Sequence, residues 1–293
     1  MNIRLLLTST LTMTASCMIA QSFHYPKAPQ DNTVDTYFGT QIADPYRPLE
    51  DDNSAETERW VTAENALTRH YLDQLPQRPK LMKRLKEVAN YEKVSTPFKR
   101  HGTWYVYKNN GLQNQSVLYK MDKLGGTLHE VLDPNKLSSD GTVALKSVSF
   151  SHNGRYMAYI VSRNGSDWQE IYVKDLETGQ DLTDHIEWAK FSNAAWRGDG
   201  FYYSAYDAPT GHAFTSKNEV HKIYYHKLGT PQSEDELFYQ NPAFPLRFYD
   251  VMVNKEETVM YLTESGEGSG NNLYVRDLRR PDAQFVQMTN DMN

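Results

Sequence analysis

The sequence predicts a mainly β protein, about four copies of one strand-rich unit behind a short helical segment. Three observations carry this. Tyrosine is abundant, 20 of 293 residues, and aromatic side chains favour half-buried pleated surfaces. A tyrosine-centred segment recurs four times at a period near 50 residues. Beyond Tyr91, short β-prone runs alternate with turn residues, and no long helical periodicity interrupts them.

The elements follow in chain order. Residues 1–20 read as a signal peptide: Arg4 supplies one positive charge, Leu5 to Ala20 carries none, and Ala20–Gln21 is the expected cleavage point. The stretch is too short and too rich in Ser and Thr for a membrane span. It places the chain outside the cell or in the periplasm. Cys17, the only cysteine, lies inside it. It is either incidental or a lipid-attachment residue, since Thr14-Ala15-Ser16-Cys17 resembles a lipobox lacking its usual leucine. Cleavage after Ala20 leaves no cysteine, which removes disulfides and thiolate chemistry from the mature chain.

The first folded segment spans residues 22–91. Tyr25-Pro26-Lys27-Ala28-Pro29 is extended. Ser54 is an expected N-cap, with Glu56 and Glu58 in the first turn, where negative charge suits the helix dipole. Trp60, Val61, Ala63, Leu67 and Tyr71 then recur at near-helical spacing. A second helix is expected over residues 80–90, with Leu81, Leu85 and Val88 on one face. The acidic run Glu50-Asp51-Asp52 beside the first helix reads as a solvated cap rather than a catalytic carboxylate pair.

Residues 92–293 hold the repeat. Tyr119, Tyr172, Tyr224 and Tyr274 fall 53, 52 and 50 residues apart, in segments such as Ile171-Tyr172-Val173-Lys174-Asp175-Leu176 and Leu273-Tyr274-Val275-Arg276-Asp277-Leu278. A second β-prone run precedes each: 104–107, 156–160, 201–204 and 259–262. A unit of about 50 residues with three or four strands matches a β-propeller blade. Four such blades form an array whose two ends expose sheet surface unless something covers them.

Composition bounds function. A net charge of −6, with no run of basic residues, argues against nucleic acid as a partner. No HExxH motif occurs: His129-Glu130 has no second histidine four residues on, so no metal is expected. No Gly-rich phosphate loop is present and no cofactor is expected. The nucleophile elbow G-x-S-x-G is absent. Gly266-Glu267-Gly268-Ser269-Gly270 has its serine out of place and reads as a flexible connector. No catalytic residue is therefore named. The nine histidines are scattered and read as surface or core residues.

Several stretches together suggest a family. Asp44-Pro45-Tyr46-Arg47-Pro48-Leu49-Glu50-Asp51 resembles the D-P-Y-x-x-L-E-D stretch near the start of prolyl oligopeptidases, serine peptidases of family S9. Gly111-Leu112-Gln113-Asn114-Gln115-Ser116-Val117-Leu118-Tyr119 is similar to that family's G-L-Q-N-Q-x-V-L-Y. Gly165-Ser166-Asp167-Trp168 and Leu228-Gly229-Thr230-Pro231 extend the match, which runs over residues 24 to 293 in order. The resemblance implies a partial seven-bladed propeller, with about four blades present. It implies that the helical segment packs on a C-terminal α/β-hydrolase domain whose Ser, Asp and His cleave short peptides after proline, the propeller limiting access. On that footing this chain stops before the catalytic residues and alone is inactive. The resemblance also implies substrate-side roles. Phe191 and, on a less certain alignment, Phe248 line the cleft, and Asp167 faces a substrate-binding arginine of the other domain. Two alternatives stand beside this: a non-catalytic propeller that binds peptides or a partner protein, and a related oligopeptidase with different specificity.

Overall fold

The computed structural model describes residues 23–51, 54–209, 217–266 and 268–291. The expected signal peptide, Cys17, and Asp52 and Glu267 of the two motifs lie outside the described residues. The described residues form two compact units, divided between Leu75 and Pro76.

In the first unit, strands β1 (Val34–Tyr37) and β2 (Thr40–Ala43) make a hairpin. Its turn residues, Phe38 and Gly39, both have positive φ, the mirror-image turn that suits strand twist. Arg47, in the 3-10 turn Arg47–Glu50, reaches back to this hairpin through Asp44 (2.6 Å) and Asp35. The Asp44–Asp51 motif thus has a structural use, fastening the hairpin to the 3-10 turn. Helix α1 (Ala55–Asp73) starts at Ser54, whose Oγ accepts from the Thr57 N–H at 3.1 Å. Thr57 is the only buried residue of α1 and donates to the Pro48 carbonyl at 3.2 Å. Helix α2 (Arg78–Ala89) opens the second unit with Pro79 in its first turn. No residue of α2 is buried, and Leu81 and Leu85 are each 59% exposed.

Four antiparallel blades follow, and each places its repeat tyrosine in its third strand. The first comprises β3 (Lys93–Val94) and β4 (Phe98–Arg100), which share one side of β5 (Thr103–Asn109), then β6 (Val117–Met121) and β7 (His129–Leu132). The second is β8 (Val143–Phe150), β9 (Tyr156–Arg163), β10 (Gln169–Asp175) and β11 (Asp181–Ala189). The third is β12 (Ala195–Arg197), β13 (Gly200–Ala205), β14 (Lys222–Lys227) and β15 (Glu236–Gln240). The fourth is β16 (Phe248–Val253), β17 (Val259–Ser265), β18 (Asn271–Asp277) and β19 (Val286–Asp291). One pairing, Ala189 with Ala205, joins the second and third blades edge to edge. The architecture is a partial β-propeller whose sheets stay open.

The recurrence of tyrosine has a packing reason. Tyr172 pairs across strands with Tyr159, and Tyr224 with Tyr203, the rings stacked 5.5 and 5.7 Å apart. Tyr172, Tyr224 and Tyr274 each pack against an apolar cluster between neighbouring blades. The first–second seam buries Tyr105, Leu118 and Met157. The second–third seam buries Ile160, Ile171, Trp196 and Phe201, and the third–fourth buries Tyr249, Met260 and Leu262. Burying each such side chain contributes about 1.5–3 kcal/mol, so the blades hold by stacking on neighbours. Gly200 marks the closest backbone approach: a Cβ there would lie 2.0 Å from the His226 carbonyl oxygen.

Candidate functional site

The site lies at the rim where β11 ends, β14 and β16 begin and the β9–β10 loop turns. It is built from the connection between the second and third blades. Trp188 and Phe191 there take φ of +58° and +50°. Left-handed backbone costs a non-glycine residue roughly 1–2 kcal/mol, so the surroundings must hold it in place. They do so through named bonds. The Lys190 N–H donates to the Ser204 carbonyl at 3.3 Å, and the Ser192 N–H to Gln169 Oε1 at 3.0 Å. Ser192 Oγ accepts from the Ser204 N–H at 2.9 Å.

His221 completes the clamp. It is fully buried, and its Nδ1 accepts from the Tyr249 N–H at 2.9 Å. The proton therefore sits on Nε2, which donates to the Lys190 carbonyl at 2.9 Å. Burial disfavours the charged ring and pushes its pKa down to about 4. A neutral histidine thus ties the connection to the first strand of the fourth blade.

So held, Phe191 turns outward and is 52% exposed. Its ring lies 5.4 Å from that of Phe248, itself 36% exposed. The two make an aromatic ledge on the surface. Beside it, Lys190 Nζ sits 5.7 Å from the Phe191 ring centre and 5.0 Å from that of Trp168. Trp168 packs edge-on against Trp188 and Tyr206. Lys190 Nζ is 4.0 Å from Asp167 Oδ2, and the Asp167 side chain is 77% exposed. An ion pair this open contributes at most about 1 kcal/mol and leaves the carboxylate oxygens accessible.

Phe191, Phe248 and Asp167 therefore stand together, the two rings in contact and the carboxylate joined to them through Lys190. The sequence reading did not single out Lys190 or His221. Lys190 had one available signal, its place beside Phe191 in Ala189-Lys190-Phe191. His221 had none, because its partners are backbone atoms of other blades. Chemically, the rim offers an apolar face and a carboxylate with spare acceptor sites, which suits recognition of an apolar side chain and a cation.

A second buried histidine lies deeper in the second–third seam. His226 Nδ1 meets Asp235 Oδ1 at 2.7 Å and its Nε2 meets Asp184 Oδ1 at 2.9 Å, all three side chains at most 2% exposed. Burial opposes charge on the ring, but the two carboxylates outweigh it and raise its pKa.

Comparison with known proteins places this architecture. Residues 26–293 match the family model described as the prolyl oligopeptidase N-terminal beta-propeller domain. The chain is 43% identical over 266 residues to a prolyl endopeptidase of Elizabethkingia miricola, covering 90% of this chain and 38% of that protein. It is 45% identical over 257 residues to the prolyl endopeptidase of Elizabethkingia meningoseptica, covering 87% of this chain and 36% of that protein. Among solved structures, prolyl oligopeptidase B of Galerina marginata bound to a 35-residue substrate superposes with a TM-score of 0.73 at 31% identity, over 92% of this chain and 41% of the other. The chain thus spans well under half the length of the relatives it matches. With a domain-wide family match and a shared fold, it belongs to the prolyl oligopeptidase family, over that family's N-terminal propeller.

Proposed function

We propose that this chain supplies the N-terminal segment and the first blades of a serine-type prolyl oligopeptidase that hydrolyses short peptides on the carboxyl side of proline. The observation that carries the proposal is the match, at 43–45% identity across nearly the whole chain, to two prolyl endopeptidases of which it spans only 36–38%. On this reading an α/β-hydrolase portion brings the serine, histidine and aspartate. The propeller restricts which peptides reach them. The exposed apolar faces of α1 (Val61, Tyr71) and α2 (Leu81, Leu85, Val88) pack on that portion. Phe191 and Phe248 line the substrate cleft, and Asp167 orients a guanidinium across it through a charge-assisted pair. Residues 1–20 direct export to the periplasm or beyond, with lipid attachment at Cys17 a further option. Among the described residues, no helix is long and apolar enough to cross a membrane.

Two measurements test this. Purified chain 1–293 should not turn over a Gly-Pro chromogenic peptide, and measurable turnover would overturn the assignment of chemistry to the other portion. In an active enzyme containing this chain, Phe191→Ala should raise KM about tenfold while changing kcat less, because a ledge that only binds adds uniform binding energy. An unchanged KM would remove Phe191 from the cleft.

A further inference from the structure

On the rim opposite Phe191 and Phe248, a cleft of about 390 Å³ opens between the third and fourth blades. Three arginines line it: Arg197 at the β12–β13 turn, Arg276 near the end of β18, and Arg280 in the turn that follows. The local concentration of positive charge stands out in a chain of net charge −6. Among the described residues, none of the three makes an ion pair. The neighbouring acids are engaged chiefly elsewhere, with Asp277 feeling Arg280 only as a weaker second charge after Arg279. Asp277 is held by Arg279 at 2.9 Å, Asp199 lies 3.3 Å from Lys227, and Glu257 accepts from the Gly198 N–H at 2.8 Å. Glu236 is the one carboxylate in the lining and is exposed.

Two of the arginines are fixed in place without being neutralised. Arg197 donates to the Tyr202 hydroxyl at 3.0 Å and to the Leu278 carbonyl at 2.8 Å. Arg276 lies over the Phe238 ring, 4.8 Å from its centre, and donates to the Pro281 carbonyl at 3.1 Å. Its buried Nε has no hydrogen-bond partner. A guanidinium held in place with one buried donor left unused is an incomplete arrangement, since buried polar groups ordinarily find partners. Planar guanidinium forks match oxyanions, and positioning them in advance lowers the entropy cost of capture.

We propose that this cleft binds a compact oxyanion carrying more than one negative charge, of the phosphate or polycarboxylate type. Arg276 and Arg280 provide the charge-assisted contacts, and the Tyr202 hydroxyl adds a donor. The site is independent of the peptidase reading and stands or falls separately from it.

Equilibrium dialysis of purified chain 1–293 against labelled inorganic phosphate and labelled citrate, with chloride holding ionic strength constant, tests the proposal. Saturable uptake near one equivalent of either anion is expected. Phosphate alone, citrate alone or both identify the oxyanion class. Arg280 is exposed, so Arg280→Gln should leave the far-ultraviolet circular dichroism and the melting curve in chloride unchanged while weakening binding at least tenfold. Arg276→Gln should weaken binding likewise, and because it also loses the Phe238 stacking its melting curve in chloride should fall. Absence of saturable binding of either anion, or binding that survives Arg280→Gln undiminished, overturns the site.

Discussion

His221 and His226 are both buried, and their surroundings move them in opposite directions. Among the described residues His221 hydrogen-bonds only to backbone, so burial wins and its pKa falls to about 4. Its neutral form is favoured in the folded state. The stability this gives is complete above the unfolded value, about 6.5, and is lost as pH falls from there towards 4, by roughly 3 kcal/mol in all. His226 has two carboxylates and a raised pKa. Its contribution is complete below about 6.5 and is lost as pH rises through its folded value. Urea unfolding across pH 4.5 to 9 should therefore show losses on both sides of neutrality. His221→Gln should flatten the acid side and His226→Gln the alkaline side. An acid limb unchanged in His221→Gln contradicts the assignment. At this scale the sequence was partly legible. Phe191 and Asp167 stand in short stretches that match the family along the chain, and Phe248 rests on a less certain alignment. Lys190 and His221 escaped because contacts among separate blades give them their roles, and one linear sequence does not display those contacts.

At the scale of elements, the second and third strands of each blade were legible because their tyrosines and β-prone runs repeat at a fixed period. The first strands of the first and third blades were not. β3 has two residues and β12 three, too few for alternation to register. The outer strand β15 is mostly exposed and carries little apolar pattern. Gln115 shows how a short motif acts on an element. Its Nε2 donates to the Val143 carbonyl at 2.6 Å, and its Oε1 accepts from the Leu145 N–H at 2.8 Å. Both bonds fix the start of β8 against the first blade. Gln115→Ala strips two backbone groups of partners and should cost about 1–3 kcal/mol in urea denaturation. A loss below about 0.5 kcal/mol would show that water replaces the clamp without penalty.

For the molecule as a whole, the fourth blade has one face packed against the third and another that is open. Met252 pairs with Tyr261, Tyr261 with Val275, and Val275 with Val286. The row crosses the whole sheet, and Met252 is 57%, Val286 62% and Met288 61% exposed. A continuous apolar row of this kind is an association surface. The chain alone should associate with rising concentration, read by light scattering, and the double variant Met252→Lys with Val286→Lys should reduce association strongly. A wild-type chain that stays monomeric at high concentration would show that this face is satisfied without a neighbour.

The single Ala189–Ala205 pairing gives the second–third seam a backbone tie in addition to its apolar cluster. The Lys190 and Tyr206 amides flank it, each 3.3 Å from a carbonyl across the seam. Slow breathing between blades is then channelled towards the first–second seam, where side chains carry the joint, since the third–fourth side has its own backbone bond from the Val220 N–H to the Pro245 carbonyl at 2.8 Å. Deuterium should reach the Lys190 and Tyr206 amides later than other amides of the same rim, making this stitch the fixed point about which the flanking blades flex.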